Sequence, residues 1–212
     1  MSLVLHGHPL SSFTWKALIA LYEKDLPFEL RVVNFQDPAS TEALFAAWPL
    51  GKMPVLEDDG RVIPESSILI EHLDRRAPAA PLIPTDPDAA LRVRLLDRLF
   101  DDYVMDPMQR IVGDRLRPAE AKDPFGVAQY REQLGKALTV LQDQVEGPYA
   151  AGSSFTLADC AAAPSLHYAN KVQPFEQSHP ALFGYLQRLE ARPSFARVLR
   201  ENQPYAHMFP EA

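Results

Sequence analysis

The chain has 212 residues, of which 47% are hydrophobic and 23% charged, so it is long enough for one large globular domain or two small ones. Its formal net charge of −7 and its lack of any Lys/Arg cluster argue against nucleic acids and anionic membrane surfaces as partners. The single cysteine, Cys160, excludes an intramolecular disulfide, and because the first residues do not resemble a signal peptide, we expect a cytoplasmic protein.

The first part of the chain predicts short strands that alternate with helices. A buried strand at 3–6 leads through the turn Gly7-His8-Pro9 to a helix after Ser11-Ser12, whose apolar side chains recur at helical spacing. The elements predicted next are a strand at 28–33, a helix at 41–48, a hairpin that turns at Asp58-Asp59-Gly60 and a helix at 66–76. This order, β-α-β-α-β-β-α, predicts a mixed sheet with helices on both faces.

Prolines mark a boundary after these elements. Four of them fall within 78–87, and a stretch with so many prolines cannot form a regular helix. Beyond it the hydrophobic pattern is helical throughout. We therefore predict a first domain at 1–77, a proline-rich linker at 78–87 and an all-helical domain at 88–212.

The second domain begins with a long predicted helix from 88 toward 105, with a kink near Pro107. Its buried stripe is predicted to consist of residues four apart, widened by Leu96 and Phe100: Leu91, Leu95, Leu99 and Tyr103. Further helices are predicted at 130–145, from Leu157 onward, at 182–189 and at 195–200, with an irregular tail from 202. Thr156 and Asp159 form a capping box before Leu157, a folding device to which we assign no catalytic role.

Two stretches in the first domain carry a pattern typical of ligand binding. The first is Leu50-Gly51-Lys52-Met53-Pro54-Val55-Leu56, where the Met53-Pro54 bond can be cis at little cost and would then turn the Met53 amide outward. The second is Pro64-Glu65-Ser66-Ser67-Ile68, where Ser66 stands at the predicted start of a helix. The free N–H groups and the positive dipole end of such a helix favour a bound carboxylate.

These stretches resemble the glutathione-binding segment of cytosolic, serine-type bacterial glutathione S-transferases, and the resemblance covers nearly the whole chain. It implies a thioredoxin-like first domain, an all-helical second domain, a homodimer, and glutathione as co-substrate with no tightly bound cofactor. It also implies that the Met53 backbone, after the cis-proline Pro54, pairs with the cysteinyl part of glutathione. Lys52 would then reach the glycyl carboxylate, Glu65 the γ-glutamyl ammonium and Ser66 the γ-glutamyl carboxylate.

Ser11 aligns with the serine that activates glutathione in this family. A free thiol titrates near pH 8.5, so only about 3% is ionised at neutral pH, and a hydroxyl donor beside a helix start favours the thiolate. Ser12 is a rival donor, because the common Ser-Pro of the family is Ser-Ser here, as in its zeta-like members, and Thr14 is a weaker one. The alternative from the local sequence is that Ser11 or Ser12 only caps the helix.

The second substrate is expected between the first domain's turn and the long helix. The expected contacts are His8, Leu10, Phe13, Met105, Met108 and also Arg110, with ordinary core packing as the alternative, above all for Met105. We expect no metal site, because His6 and His8 have no cluster of further ligands nearby. Cys160 is expected to be a small buried residue.

The predicted function is that of a glutathione transferase, which activates glutathione as the thiolate and conjugates it to a small, apolar, electrophilic substrate. The alternatives are a zeta-like glutathione-dependent isomerase or dehalogenase, and a glutathione-binding protein without turnover. A thiol-disulfide oxidoreductase is disfavoured, because such proteins need a cysteine where this chain has serine.

Overall fold

The computed structural model describes residues 3–145 and 147–211 and builds the first part of the chain on a four-stranded sheet. The strands are β1 (Leu3–Gly7), β2 (Phe28–Val32), β3 (Val55–Asp58) and β4 (Arg61–Pro64), in the order β2-β1-β3-β4. β1 runs parallel to β2 and antiparallel to β3, and β3 and β4 form an antiparallel hairpin. All five residues of β1 are buried, so the central strand lies in the core of the fold.

Three helices accompany this sheet: α1 (Ser12–Glu23), α2 (Pro38–Ala47) and α3 (Ser66–Arg76). The second of them starts three residues before the predicted position at 41. Its N-cap is Asp37, whose side chain accepts a hydrogen bond from the Ala39 N–H at 3.1 Å, and Pro38 occupies the first helical position, where no backbone donor is needed. The mixed sheet with its helices confirms the predicted thioredoxin-like architecture.

The rest of the chain is helical, as predicted. Its helices are α4 (Pro87–Arg98), α5 (Asp106–Arg115), α6 (Pro124–Gln144), α7 (Leu157–Val172), α8 (Pro180–Ala191) and α9 (Pro193–Asn202). A π-helical segment, Leu99–Met105, joins α4 to α5, so the helical path continues past Pro107. The wider turn gives the proline ring room where an α-helical carbonyl would clash with it.

The buried face of α4 differs from the predicted stripe. Leu91 is 67% exposed and Tyr103 is 59% exposed, while the neighbouring row is fully buried at Leu96, Phe100 and Val104. Both rows are apolar and both recur every four residues, so periodicity alone does not separate them. α4 and the π-helical segment pack against α7, and this contact selects the row that is buried.

Two other helical predictions are corrected. α6 begins at Pro124, six residues before the predicted range, because Asp123 caps it by accepting the Gly126 N–H at 2.8 Å. The tail is not irregular from 202, since Gln203–Met208 forms a 3₁₀ helix directly after α9.

The predicted capping box at the start of α7 is confirmed. Asp159 is fully buried, and its carboxylate accepts hydrogen bonds from the Thr156 N–H at 2.8 Å and the Tyr185 hydroxyl at 2.6 Å. The Ala150 N–H donates to the same carboxylate at 2.8 Å. Burial raises the pKa of Asp159 in spite of these donors.

Within residues 3–145 and 147–211, no helix combines the length and the apolar character needed to cross a membrane.

Candidate functional site

The start of α1 places a serine hydroxyl at the mouth of a cavity. Ser11 is the N-cap residue, and its Oγ accepts a hydrogen bond from the Thr14 N–H at 3.3 Å. The backbone of Ser11 donates to the His8 carbonyl oxygen at 2.9 Å, which closes the turn before the helix. Because capping uses a lone pair of the hydroxyl and not its hydrogen, Ser11 can cap α1 and still donate to a ligand.

The rival hydroxyls differ from Ser11 in their surroundings. Ser12 is only 3% exposed, and its Oγ accepts a hydrogen bond from the Gln109 side-chain amide at 3.3 Å. Thr14 is fully buried on the side of α1 that faces Gly7 of β1, and a Cβ added at Gly7 would lie 2.5 Å from its side chain. Ser11 and Ser12 both line the cavity, whereas Thr14 is not among the lining residues.

A polar cavity of about 320 Å³ brings together the residues predicted to hold glutathione. It is lined by Phe13, Trp48, Lys52, Met53, Pro54, Glu65, Ser66, Arg98, Asp101 and Asp102. The Met53-Pro54 peptide bond at its edge is cis. The five residues predicted to bind glutathione, from the loop before β3 and from the start of α3, therefore share one cavity.

The start of α3 forms one end of this polar cavity. Glu65 is its N-cap residue and has a φ of 68° and a ψ of 117°, a sparsely populated backbone conformation that costs a non-glycine residue about 1–3 kcal/mol. Its side chain does not cap the helix. Ser66 is the first helical residue and is 6% exposed. The first N–H groups of a helix lack partners within it, so this end offers donors and a positive dipole to a carboxylate.

A buried charge cluster lies directly behind the start of α3. Lys16 of α1 is fully buried, and its Nζ lies 2.5 Å from an Asp97 oxygen and 2.6 Å from an Asp101 oxygen. Ser67 donates to Asp97 at 2.8 Å and accepts from Lys16 at 2.8 Å, while Arg98 pairs with both aspartates. We call these five residues the Lys16 cluster. Burial raises the pKa of Asp101 although Lys16 opposes the shift.

A second cavity, of about 590 Å³, extends from the start of α1 toward α5 and the C-terminal tail. His8, Leu10, Phe13 and Met108 line it, as predicted from the sequence. Further lining residues that the sequence reasoning missed are Phe35, Gln109, Val112, Leu116, Tyr168, Met208, Phe209 and Pro210. The spacing of Met108, Val112 and Leu116 along one face of α5 was a usable signal for part of this set.

Two residues predicted for this wall lie elsewhere. Met105, the last residue of the π-helical segment, is 1% exposed and belongs to the core. Arg110 forms an ion pair with Asp106 at 2.8 Å and lies over the ring of Tyr130, and it is not among the lining residues. Both predictions are corrected.

The C-terminal tail closes one side of the second cavity. The ring of Phe209 stacks on the ring of Tyr168 with 5.4 Å between the centroids, and Arg115 donates to the Pro210 carbonyl oxygen at 2.9 Å. The Tyr168 hydroxyl donates to the Leu10 carbonyl oxygen at 3.1 Å, which ties α7 to the turn before α1. The tail is thus held to α5 and α7, and its apolar side chains become part of the cavity wall.

The two cavities meet, because Phe13, Lys52 and Met53 line both of them. One cavity is rich in charged and polar groups and the other is mainly apolar. A ligand that fills the polar cavity can therefore present one end to Ser11 and to a second molecule in the apolar cavity.

In the part of the chain that the structure describes, no cluster of His, Cys, Asp and Glu side chains has a geometry suited to a metal ion.

Comparisons with known proteins agree with this arrangement. Residues 5–81 match the family model "Glutathione S-transferase, N-terminal domain", and residues 124–188 match "Glutathione S-transferase, C-terminal domain". A probable maleylacetoacetate isomerase from Caenorhabditis elegans is 30% identical over 95% of this chain and 94% of its own length.

The chain is also similar to solved structures of glutathione S-transferases. A glutathione S-transferase from Methylobacterium radiotolerans, in complex with glutathione sulfonate, is 32% identical with a TM-score of 0.83 and covers 93% of this chain and 94% of its own. One from Methylobacillus flagellatus with glutathione bound is 28% identical with a TM-score of 0.84, and the match covers 92% of this chain and 98% of its own.

Proposed function

The chain belongs to the glutathione S-transferase family, and from this premise we propose that it conjugates glutathione to a small, apolar, electrophilic substrate. The observation that carries the proposal is the meeting of the two cavities at Phe13, Lys52 and Met53. Glutathione occupies the polar cavity and the electrophile occupies the apolar one. The sulfur then lies at their junction, beside the Ser11 hydroxyl, with no tightly bound cofactor.

Within the polar cavity, the chemistry of each lining group suits one part of glutathione. The Glu65 carboxylate pairs with the γ-glutamyl ammonium, and the start of α3 at Ser66 binds the γ-glutamyl carboxylate. The Met53 backbone, next to Pro54, pairs with the cysteinyl part, and Lys52 binds the glycyl carboxylate. Local positive features are needed here because the net charge of −7 repels an anionic ligand.

The direct test is turnover of purified protein with glutathione and chlorodinitrobenzene, together with a calorimetric titration of glutathione. We expect saturable conjugation and glutathione binding. Binding without conjugation of any of several electrophiles would support the alternative of a glutathione-binding protein, and the absence of binding would refute both.

A glutathione-dependent isomerase or dehalogenase is the second candidate, favoured by the similarity to a probable maleylacetoacetate isomerase. The apolar cavity argues against a dicarboxylate as its substrate, because Lys52 is the only cation among the described lining residues. Lys52 is also assigned to glutathione. Assays of maleylacetoacetate isomerisation, of halide release from a haloalkane and of conjugation therefore separate the three activities.

We predict that Glu65→Gln raises the Kd for glutathione about tenfold or more, because it replaces a charge-assisted hydrogen bond to the γ-glutamyl ammonium by a neutral one. Calorimetry on both proteins gives the ratio of the two Kd values. The matched control is Glu71→Gln, which removes a carboxylate from the same helix but outside the cavity, where Glu71 pairs with Arg94 at 2.7 Å. Equal effects of the two variants would rule out a specific contact by Glu65.

We also propose a homodimer. Tyr103 is 59% exposed and Val140 is 52% exposed, and both line an apolar groove of about 580 Å³ between the π-helical segment and α6. Light scattering is expected to give twice the chain mass of 23.7 kDa. Val140→Glu should lower the mass to that of one chain, whereas Phe125→Glu, at a 73% exposed position on α6 outside the groove, should not. A wild-type mass of one chain would contradict the proposal.

Two properties of the whole chain rest on the sequence alone, and we propose both. The division into 1–77, 78–87 and 88–212 is supported by the proline-rich composition of the middle segment. A cytoplasmic location is supported by the single cysteine, Cys160, because a chain with one cysteine forms no intramolecular disulfide. Limited proteolysis tests the first proposal and cell fractionation tests the second.

A further inference from the structure

The turn between β1 and α1 fixes the hydrogen positions on an imidazole ring. The Leu10 N–H donates a hydrogen bond to Nδ1 of His8 at 3.1 Å. A backbone N–H can only donate, so Nδ1 carries no proton, and the proton of the neutral ring is on Nε2. Within residues 3–145 and 147–211, the structure gives Nε2 of His8 no hydrogen-bond partner.

The ring of His8 also stands on the wall of the apolar cavity, close in the chain to the proposed thiolate donor. The backbone contact from Ser11 to the His8 carbonyl oxygen, at 2.9 Å, holds the two residues in one turn. Burial lowers the pKa of His8, so the ring stays neutral at neutral pH and keeps its Nε2 hydrogen. A hydrogen bond from a donor on an apolar wall is stronger than a hydrogen bond from the same donor in water.

The other donors on the same wall are either already engaged or, like Ser11, Ser12 and Lys52, face the proposed glutathione site. The Tyr168 hydroxyl donates to the Leu10 carbonyl oxygen, and the Gln109 amide donates to Ser12. The turn before α1 therefore fixes the proton of the neutral His8 ring on Nε2. This Nε2–H is free to donate a hydrogen bond to a ligand in the apolar cavity.

We propose that His8 donates a hydrogen bond from Nε2 to an oxygen of the electrophile, so that the cavity favours substrates whose reacting carbon is conjugated to a carbonyl group. This inference rests on the proposed transferase function and names the substrate class of that site. It makes His8 a catalytic residue, because the hydrogen bond strengthens as negative charge develops on the oxygen.

The step is an addition that balances without a further reagent. The glutathione thiol first loses its proton to solvent, and the thiolate then forms a carbon–sulfur bond at the β-carbon of an enone. The π electrons of the carbon–carbon double bond form a new double bond between the α-carbon and the carbonyl carbon, and the π electrons of the carbonyl group move onto its oxygen. His8 Nε2–H donates to the oxygen of the resulting enolate. Water returns one proton to the α-carbon, which gives the saturated thioether.

Two substitutions of His8 separate its two nitrogens. His8→Asn keeps an oxygen near the position of Nδ1, which can accept the Leu10 N–H and preserve the turn, but it has no donor at the position of Nε2. His8→Gln places an amide donor near the position of Nε2. The probes are benzylideneacetone, an enone, and benzyl chloride, whose displacement develops no charge on an oxygen.

We expect His8→Asn to lower the ratio of kcat/KM for benzylideneacetone to kcat/KM for benzyl chloride about 10- to 100-fold, the usual effect of losing one oxyanion donor. His8→Gln should recover part of that ratio. A similar Kd for glutathione in all three proteins shows that the variants are folded. An unchanged ratio in His8→Asn, or equal losses with both electrophiles, would overturn the role of His8 and leave the transferase function standing. Conjugation of benzyl chloride but not of benzylideneacetone by the wild-type protein would also overturn it, whereas failure with both probes and with chlorodinitrobenzene would refute the transferase function.

Discussion

Ser11→Ala is expected to lower kcat/KM for glutathione conjugation about 100-fold at neutral pH, with the Kd for glutathione changed only a few-fold. Lowering the thiol pKa by about two units takes roughly 2.7 kcal/mol of differential stabilisation, and a hydroxyl donor beside the start of α1 is able to supply most of it. The ultraviolet absorbance of the thiolate, followed against pH, measures the pKa of bound glutathione in both proteins. The difference in kcat/KM between Ser11→Ala and the wild-type protein should become smaller as the pH rises through about 8.5, because the thiol of glutathione then ionises without a hydrogen-bond donor.

The controls separate the chemical role of Ser11 from its capping role. Ser11→Ala also removes the acceptor of the Thr14 N–H, which should cost about 0.5–2 kcal/mol of stability and is measured by thermal unfolding. Ser11→Thr retains both the cap and the donor and should keep most of the activity. If Ser12→Ala, and not Ser11→Ala, abolishes turnover and raises the thiol pKa, Ser12 is the donor.

Lys16→Met is expected to destabilise the protein by about 3–5 kcal/mol, because it removes the buried cation that Asp97 and Asp101 share and leaves them only the half-exposed Arg98. Urea unfolding of both proteins gives the difference in the free energy of unfolding. In the variant, the uncompensated carboxyls take up protons more readily in the folded state than in the unfolded state. Its stability deficit should therefore narrow as the pH is lowered.

A matched lysine serves as the control for this charge cluster. Lys136→Met removes a cation from an exposed i,i+4 pair with Glu132 on α6 and should change stability little. Adding Asp97→Asn and Asp101→Asn to Lys16→Met should restore part of the loss, because the uncompensated charges are then removed together. Equal stabilities of Lys16→Met and the wild-type protein would show that the Lys16 cluster does not hold α1 and α3 to the helical domain.

The Lys16 cluster also bears on glutathione binding. Ser67, one residue after the proposed carboxylate site at Ser66, forms hydrogen bonds with Lys16, Asp97 and Arg98.

The sequence showed Lys16 only as a polar residue in an apolar helix. Its ion pairs are formed with residues more than 80 positions away in the chain, and no local pattern predicts such partners.

The sequence by itself determined the features that depend on neighbouring residues. These are the strand and helix order of the first domain, the capping box of Thr156 and Asp159, and the stretches around Pro54 and Glu65 that carry the family resemblance. Each follows from short-range physics, such as the period of apolar side chains, a cap that bonds three residues on, or a backbone that proline restricts.

Tertiary structure alone decided which of several locally equivalent choices is realised. Leu91 and Leu96 lie on adjacent apolar rows of α4, and only packing against α7 buries the second row. Met105 and Met108 have the same side chain and are both buried, yet only Met108 also lines the apolar cavity. Phe209 reaches the same cavity because it stacks on Tyr168 of α7. The free energies of burial and stacking depend on residues brought together by the whole fold, so they leave no signature in the local sequence.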